Sequence, residues 1–160
     1  MMARISGDLD RDDRGKIEEI LRSTDFFYDF EIDTALEIAD ETIEKGVEKS
    51  GYYWLKAVDD DGLVAFANFG KNEFSTHSWE LYWIAVHNNS RNKKLGSVLL
   101  KAVENKVREL GGKILWIETA GRPLYSPTEA FYKRNGYELA ASLKDFYSMG
   151  DPKQIYVKVL

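Results

Sequence analysis

The sequence predicts an α/β (α+β) fold: a mixed β-sheet with helices packed on it. Two observations carry this. Stretches rich in aromatic and β-branched residues alternate with stretches whose apolar residues recur every three or four positions. Their order is hairpin strands first, then strand, helix, strand, helix, strand, strand, and such an order builds a mixed sheet. The chain has 160 residues, three prolines and no repeat or low-complexity tract. One hydrophobic core is therefore expected, with 1–160 forming a single domain.

Each element has its own signal. Residues 11–22 carry Ile17, Ile20 and Leu21 at helical spacing. From Glu31 onward, Ile32, Ala35, Leu36, Ala39, Ile43 and Val47 form a second stripe, with Asp29 as the expected cap and Gly46 or Gly51 as the stop. Residues 52–58 and 63–69 read as strands, joined by the hairpin-turn chemistry of Asp59-Asp60-Asp61-Gly62. Those aspartates are read as a solvated turn and not as a metal site. Residues 78–86 form a third strand. Leu95, Val98, Leu99, Ala102, Val103, Val107 and Leu110 then share one helix face that Gly111-Gly112 ends. Residues 113–119 are a strand. Ser126-Pro127-Thr128-Glu129 is a helix start in which Ser126 caps and Glu129 completes a capping box. That helix ends near Asn135-Gly136, and residues 137–143 and 154–159 are the last strands.

Composition excludes several chemistries. There is no cysteine, so disulfides, thiolate metal sites and cysteine nucleophiles are ruled out. Net charge is −5, which argues against a nucleic-acid partner. The longest apolar run, Leu81–Val86, is too short to span a membrane. The first residues show no apolar signal stretch, so a cytoplasmic location and no membrane partner are expected. Charge is uneven: Asp8–Lys49 holds 15 acidic and 6 basic residues, whereas Arg91–Lys113 holds 7 basic and 2 acidic. One stretch suits a cation and the other an anion. The two histidines, His77 and His87, lack partners at ligand spacing and read as surface residues, and no metal is expected.

The densest signal is Leu81-Tyr-Trp-Ile-Ala-Val86, then His87-Asn-Asn-Ser90, then Arg91-Asn-Lys-Lys-Leu-Gly-Ser97. A strand ends, a basic loop follows, and a helix starts inside it. Unpaired N–H groups and the positive end of the dipole make a helix start an anion site. Gly96 allows close approach, Ser97 adds a hydroxyl, and Arg91, Lys93 and Lys94 add charge. Neither a Walker loop nor the dinucleotide fingerprint is present.

The Arg91–Ser97 stretch resembles the acetyl-CoA-binding motif R/Q-x-x-G-x-G/A of the GNAT acetyltransferase superfamily. Arg91 and Gly96 match its ends, and Lys94 stands where the family has its first glycine. Ala130-Phe-Tyr-Lys-Arg-Asn-Gly-Tyr137 is similar to the family's second signature, a helix carrying a tyrosine and ending at Gly-Phe/Tyr. Tyr125 stands where that signature often has asparagine. The element order matches the family from Ile5 to Leu160. The resemblance implies a six- to seven-stranded, mostly antiparallel sheet with helices on both faces.

It also implies a reaction in which a primary amine attacks the thioester of acetyl-CoA. The backbone of Lys93 to Ser97, including Leu95 and Gly96, would anchor the pyrophosphate, with Arg91 and Asn92 beside it. The Ile84 N–H would meet the thioester carbonyl, and the Val86 N–H, past Ala85, would hold the pantetheine. Ser126, Phe131 and Tyr132 would follow the cofactor arm. Tyr132 is the implied acid for the leaving thiolate. Two carboxylates match family base positions: Glu80 on the family's fourth strand and Glu118 on its fifth. Glu80 is preferred, and both stay open. A carboxylate inside a covered sheet must be paired or functional, and pairing with Arg122 or a lysine is the plain alternative. With no cysteine to take the acetyl group, direct transfer in a ternary complex is expected.

Phe26-Phe-Tyr-Asp-Phe30 joins the first two helices, where the family builds one acceptor wall. Phe27 and Tyr28 are candidates to face a cationic amine, or to pack as core. Tyr82, Tyr125, Phe146 and Tyr147 are further candidates. Asp145-Phe-Tyr-Ser-Met-Gly-Asp151 resembles the aromatic hairpin of N-terminal peptide acetyltransferases. The expected acceptor is a small amine or a peptide amine. A non-catalytic acetyl-CoA sensor is the alternative, and the family makes a homodimer one expectation.

Overall fold

The computed structural model describes residues 3–91 and 93–160. The elements are β1 (Arg4–Ser6), α1 (Asp13–Ser23), α2 (Asp29–Ser50), β2 (Tyr53–Asp59), β3 (Gly62–Lys71), β4 (Ser78–Val86), α3 (Leu95–Glu109), β5 (Ile114–Ala120), α4 (Ser126–Arg134), β6 (Glu138–Ser148) and β7 (Asp151–Val159). Short 3₁₀ turns at Asn88–Ser90 and Pro123–Tyr125 precede α3 and α4. The strands form a seven-stranded sheet in the order β1-β2-β3-β4-β5-β7-β6. β4 and β5 run parallel from Ser78↔Ile114 to Leu81↔Ile117. β1–β2, β2–β3, β5–β7 and β6–β7 are antiparallel. The expected mixed, mostly antiparallel sheet is therefore what forms.

The described residues group into two compact units. One takes in those of Met1–Gly70 and Tyr82–Lys106, the other Lys71–Leu81 and Val107–Leu160.

The first unit buries the stripes read from the sequence. Ile17, Ile20 and Leu21 of α1 and Ile32, Ala35, Leu36 and Ala39 of α2 pack with Trp54, Leu63, Phe66 and Ala85. Burying an aliphatic side chain of this size contributes about 2 kcal/mol, so this cluster dominates the unit's stability. The indole nitrogen that enters it is satisfied: Trp54 Nε1 donates to Thr42 Oγ1 at 3.0 Å. α2 starts at Asp29 itself, with Tyr28 in the cap position, because Glu31 reaches back to accept the Tyr28 N–H at 2.9 Å. Asp29 is thus the first helical residue and not the cap. Gly51 ends α2 at φ 76°, and Gly46, at φ 82°, kinks it instead of stopping it. The acidic stretch between β2 and β3 forms a turn: Asp59 Oδ1 accepts the Asp61 N–H at 2.8 Å and Gly62 sits at φ 93°. Among the described residues no group of three His, Cys, Asp or Glu side chains is arranged to hold a metal.

The second unit is built around β5 and β7. Leu115, Ile117, Tyr132, Tyr137 and Tyr156 are buried. The Tyr132 ring meets Tyr156 at 5.6 Å and Tyr137 at 6.0 Å between centroids. The turn before β5 passes directly beneath the Trp79 ring, where a Cβ on Gly112 would collide with Trp79 and Val107. Three boundaries differ from the sequence reading. Ser126 does not cap α4, because the 3₁₀ turn has already brought the chain into helical geometry (φ −55°, ψ −41°), so Ser126 is the first residue of the helix. β6 runs on to Ser148 and β7 starts at Asp151, because the two strands keep pairing out to Ser148↔Asp151 across an irregularity after Leu143. At that irregularity Asp145 takes φ 54°, and its Oδ1 accepts the Gly150 N–H at 2.8 Å, which closes the hairpin. The aromatic segment 145–151 is accordingly the tip of the β6–β7 hairpin.

Candidate active site

In the first unit, β4 leads into a loop whose shape is set by small hydrogen bonds. The His87 N–H donates to the Val64 carbonyl at 2.8 Å, which ties the end of β4 to β3. His87 Nδ1 accepts the Asn89 N–H at 3.1 Å, and the Asn88 N–H donates to Ser23 Oγ at 3.0 Å. His87 also has Glu19 at 4.0 Å from Nε2. It is therefore a partnered loop-former and not a bare surface histidine. The Arg91 guanidinium lies 5.5 Å from the centre of the Phe26 ring.

Lys94 takes φ 58°, the left-handed region, immediately before α3. This is the position at which the motif has a glycine. A lysine there costs about 1–2 kcal/mol of backbone strain. The Lys94 carbonyl accepts the Val98 N–H at 3.1 Å, so the helix begins correctly despite the substitution. Arg91, Lys93 and Lys94 are exposed at this helix entrance, and Leu95 is buried beneath it. First-turn N–H groups have no partner within a helix. Such an entrance with three cations suits a phosphate-bearing ligand. Asn92 lies outside the described residues.

In the second unit, Glu80 and Glu118 lie on one face of the sheet. Glu80 pairs in register with Trp116, and Trp116 is two residues from Glu118 on β5. Lys153 lies opposite Ala120, one step further along the same face. Lys153 Nζ is 2.9 Å from Glu118 Oε2 and 4.4 Å from the centre of the Phe146 ring. The hydrogen bond to Glu118 chiefly, and then the charges of Glu118, Tyr147 and Glu80, push the Lys153 ammonium above the usual lysine range against the opposing effect of burial. The expected buried carboxylate is not found at Glu118. Its side chain is 49 % exposed, and its partner is Lys153. Arg122 is engaged by Asp151 instead, at 3.1 Å.

Tyr132 is buried on α4, and burial together with Tyr156 raises its phenol well above the usual tyrosine value. It therefore carries its proton throughout the neutral range, as an acid must. Its apolar setting is also that of a core aromatic. Phe131 stacks edge-on with Tyr132 at 5.3 Å.

The acceptor candidates divide. Phe27 packs edge-on against Trp83 at 5.2 Å and is core, whereas Tyr28 is exposed and stacks on Phe30 at 5.5 Å. Tyr82 is partly exposed and meets Tyr52 edge-on at 5.9 Å. Its ring lies over Gly70, where any Cβ would fall 3.0 Å from Tyr82 Cε2. Tyr125 is buried, with the Arg122 guanidinium 5.0 Å from its ring centre. Phe146 and Tyr147 are exposed at the hairpin tip, and Lys153 already covers one face of Phe146. Residue spacing did not reveal Lys153, Ser23 or Gly70. Lys153 becomes visible only through the pairing of β5 with β7.

The mostly antiparallel sheet with its parallel β4–β5 step and the basic entrance of α3 are what the resemblance to the GNAT superfamily implies. Comparison with known proteins agrees. The family model described as Acetyltransferase (GNAT) family matches residues 16–137, a span that runs through both units. A crystal structure from Desulfovibrio desulfuricans, assigned to the GNAT acetyltransferases, is 35 % identical with a TM-score of 0.95, covering 98 % of each chain. An aminoglycoside 6'-N-acetyltransferase solved with coenzyme A is 21 % identical with a TM-score of 0.77, covering 98 % of this chain and 96 % of that one. A ribosomal-protein-alanine N-acetyltransferase from Brucella melitensis is 20 % identical with a TM-score of 0.78, covering 98 % and 99 %. These last two share the fold. No curated protein sequence matches significantly. The chain belongs to the GNAT acetyltransferase family. It is an acyl-transferring enzyme whose donor is acetyl-CoA.

Proposed function

We propose that the chain transfers the acetyl group of acetyl-CoA to a primary amine by direct attack in a ternary complex, within one catalytic domain. The observation that carries this reading is the entrance of α3, where Lys94 adopts the backbone geometry of a glycine and stands among three cations. When bound, acetyl-CoA supplies an acetyl group activated as a thioester. Arg91 and the backbone of Lys93 to Ser97 hold its phosphates. The strand residues Ile84, Ala85 and Val86 offer backbone N–H groups to the thioester and the pantetheine. Tyr132, protonated at neutral pH, supplies the proton needed by the departing sulfur. Glu80 or Glu118 takes the proton from the amine.

The acceptor is a small amine or a peptide amine. Both kinds of fold neighbour, acting on an aminoglycoside and on ribosomal-protein alanine, are compatible with it. Exposed aromatics at Tyr28, Tyr82 and Tyr147 suit a cationic group. We place the enzyme in the cytoplasm on the sequence expectation. Among the described residues no helix is long and apolar enough to cross a membrane.

The test is thiol release from acetyl-CoA across a panel of polyamines, aminoglycosides, amino acids and peptides, paired with melting curves in acetyl-CoA. A ligand that binds the native state raises its melting temperature. Release with one amine class and a raised melting temperature support the reading. A raised melting temperature without release for any amine favours a sensor. No rise at saturating acetyl-CoA refutes the donor site.

A further inference from the structure

One residue shapes the loop that leads to α3. The His87 N–H donates to the Val64 carbonyl of β3, and the His87 carbonyl accepts the Ser90 N–H, both at 2.8 Å. The ring performs a third task. Its Nδ1 accepts the Asn89 N–H at 3.1 Å, from the cap position of the 3₁₀ turn Asn88–Ser90. Between these bonds, the Asn88 N–H is taken by Ser23 Oγ of α1 at 3.0 Å. The next residue after the turn is Arg91, the first of the three exposed cations at the helix entrance.

A ring nitrogen that accepts an N–H carries no proton of its own. The proton of neutral His87 is therefore on Nε2, which lies 4.0 Å from Glu19 Oε1. A second proton makes both ring nitrogens donors. Nδ1–H would then oppose the Asn89 N–H, and the turn would lose its side-chain cap. The ring is 21 % exposed, so a solvent proton reaches it. Glu19, itself 3.6 Å from Lys16, is the charged group that faces the ring from α1. β3 presents Leu63, Val64 and Ala65, none of which titrates, and the loop itself adds Arg91, Lys93 and Lys94. Protonation would thus remove a cap and place a fourth cation beside those three. A loop that holds its binding shape for only part of the time binds its ligand more weakly in proportion.

We propose that His87 is a positioning residue for the acetyl donor: its neutral ring caps the turn Asn88–Ser90 and so holds the loop that presents Arg91 and the start of α3 to the phosphates of acetyl-CoA, and a proton on Nδ1 competes with that shape. This rests on the donor-site reading above and deepens it.

The experiment measures binding of coenzyme A to the full chain by calorimetry from pH 5.5 to 8, for wild type, H87A and H87N. Alanine has no side-chain acceptor, whereas asparagine keeps one at the cap position and does not titrate. At pH 8, H87A should bind about fivefold more weakly than wild type, the equivalent of one side-chain cap, and H87N should recover most of that loss. The phosphate monoester of coenzyme A itself gains a proton near about pH 6, so every chain loses some affinity in acid. Imidazole changes charge in the same range, and the wild type should fall about fivefold further than H87N. A histidine that only fills space would give parallel slopes for wild type and H87N. The proposal is overturned by such parallel slopes, by an H87N that recovers nothing, or by wild-type binding that strengthens in acid relative to H87N, which would make the imidazolium one more phosphate contact. Should H87A fold poorly, the comparison of wild type with H87N decides alone. Absence of coenzyme A binding by the wild-type chain at every pH would sink the donor-site reading and this one together, whereas binding with parallel slopes sinks only this one.

Discussion

Asp151 grips Arg122 at both ends. Its Oδ1 accepts the Arg122 backbone N–H at 3.0 Å, and its Oδ2 accepts from the guanidinium Nη1 at 3.1 Å. The same Oδ1 also takes the Gly121 N–H at 3.0 Å. One buried carboxylate therefore seats the connection between β5 and α4 on the first residue of β7. Because α4 carries Tyr132, this clasp fixes where the candidate acid begins.

Removing the clasp should be expensive. Asp151→Ala leaves two backbone N–H groups and a guanidinium without their acceptor, so a loss of about 3 kcal/mol is expected. Chemical denaturation checks it through a lower midpoint at unchanged slope. Asp151→Asn keeps one acceptor oxygen and should lose less. Equal losses for the two variants would mean that charge matters and geometry does not.

The left-handed Lys94 makes a second prediction. Lys94→Gly relieves backbone strain, at about the same entropic cost in the unfolded chain, so stability should stay within about 1 kcal/mol. Lys94→Val should cost about 2 kcal/mol, because a β-branched side chain tolerates this backbone region worst. Both variants lose the same charge. An acetyl-CoA titration should therefore weaken in both, with the glycine variant the tighter binder.

Gly70 sets the place of Tyr82. A Cβ there would lie 2.8 Å from the Gly51 carbonyl oxygen and 3.0 Å from Tyr82 Cε2, so backbone or ring must move. Gly70→Ala should cost about 1–3 kcal/mol as an overpacking change. If Tyr82 lines the acceptor side, KM for the amine rises while affinity for acetyl-CoA stays near wild type. A rise in both constants would place the effect in the fold.

Tyr132 links stability to alkali. Burial raises its folded-state value, so its contribution is fully present below the ordinary tyrosine value of about 10 and is lost as pH climbs past it. Tyr156 is raised by the same cause, burial first, and adds to the slope. Unfolding free energy measured from pH 8 to 11 should fall steeply above pH 10, and Tyr132→Phe should flatten the fall. The same variant should lower kcat while leaving acetyl-CoA affinity in place. A kcat equal to wild type would return Tyr132 to the core.

Much of the architecture can be read in the sequence because it depends on local periodicity. β4 has the bounds that its apolar run predicts. The stripe Ile32-Ala35-Leu36-Ala39 is buried as its spacing requires, and Gly51 ends its helix in the conformation that only glycine adopts readily. Boundaries slipped where a neighbouring turn had already committed the backbone, as at Ser126, or where strand pairing outlasted the pattern, as along β6. The basic loop was legible for a similar reason, since its charges and its helix start are adjacent in the chain.

The sequence by itself thus determined the fold class, the two motifs that place the chain among the GNAT acetyltransferases, and the residues able to carry the chemistry. It left both carboxylates open as the base, with Glu80 preferred over Glu118. Only the tertiary structure gave Glu118 its partner, because Glu118 meets Lys153 across a pairing of strands that lie 35 residues apart along the chain (153 − 118). It likewise showed Phe27 turned into the core and Tyr28 left outside, although the two are neighbours in one aromatic run. Periodicity reports which face a side chain takes on its own element. Which charge or ring meets it there is set by pairing and packing between distant segments, and no local pattern encodes that.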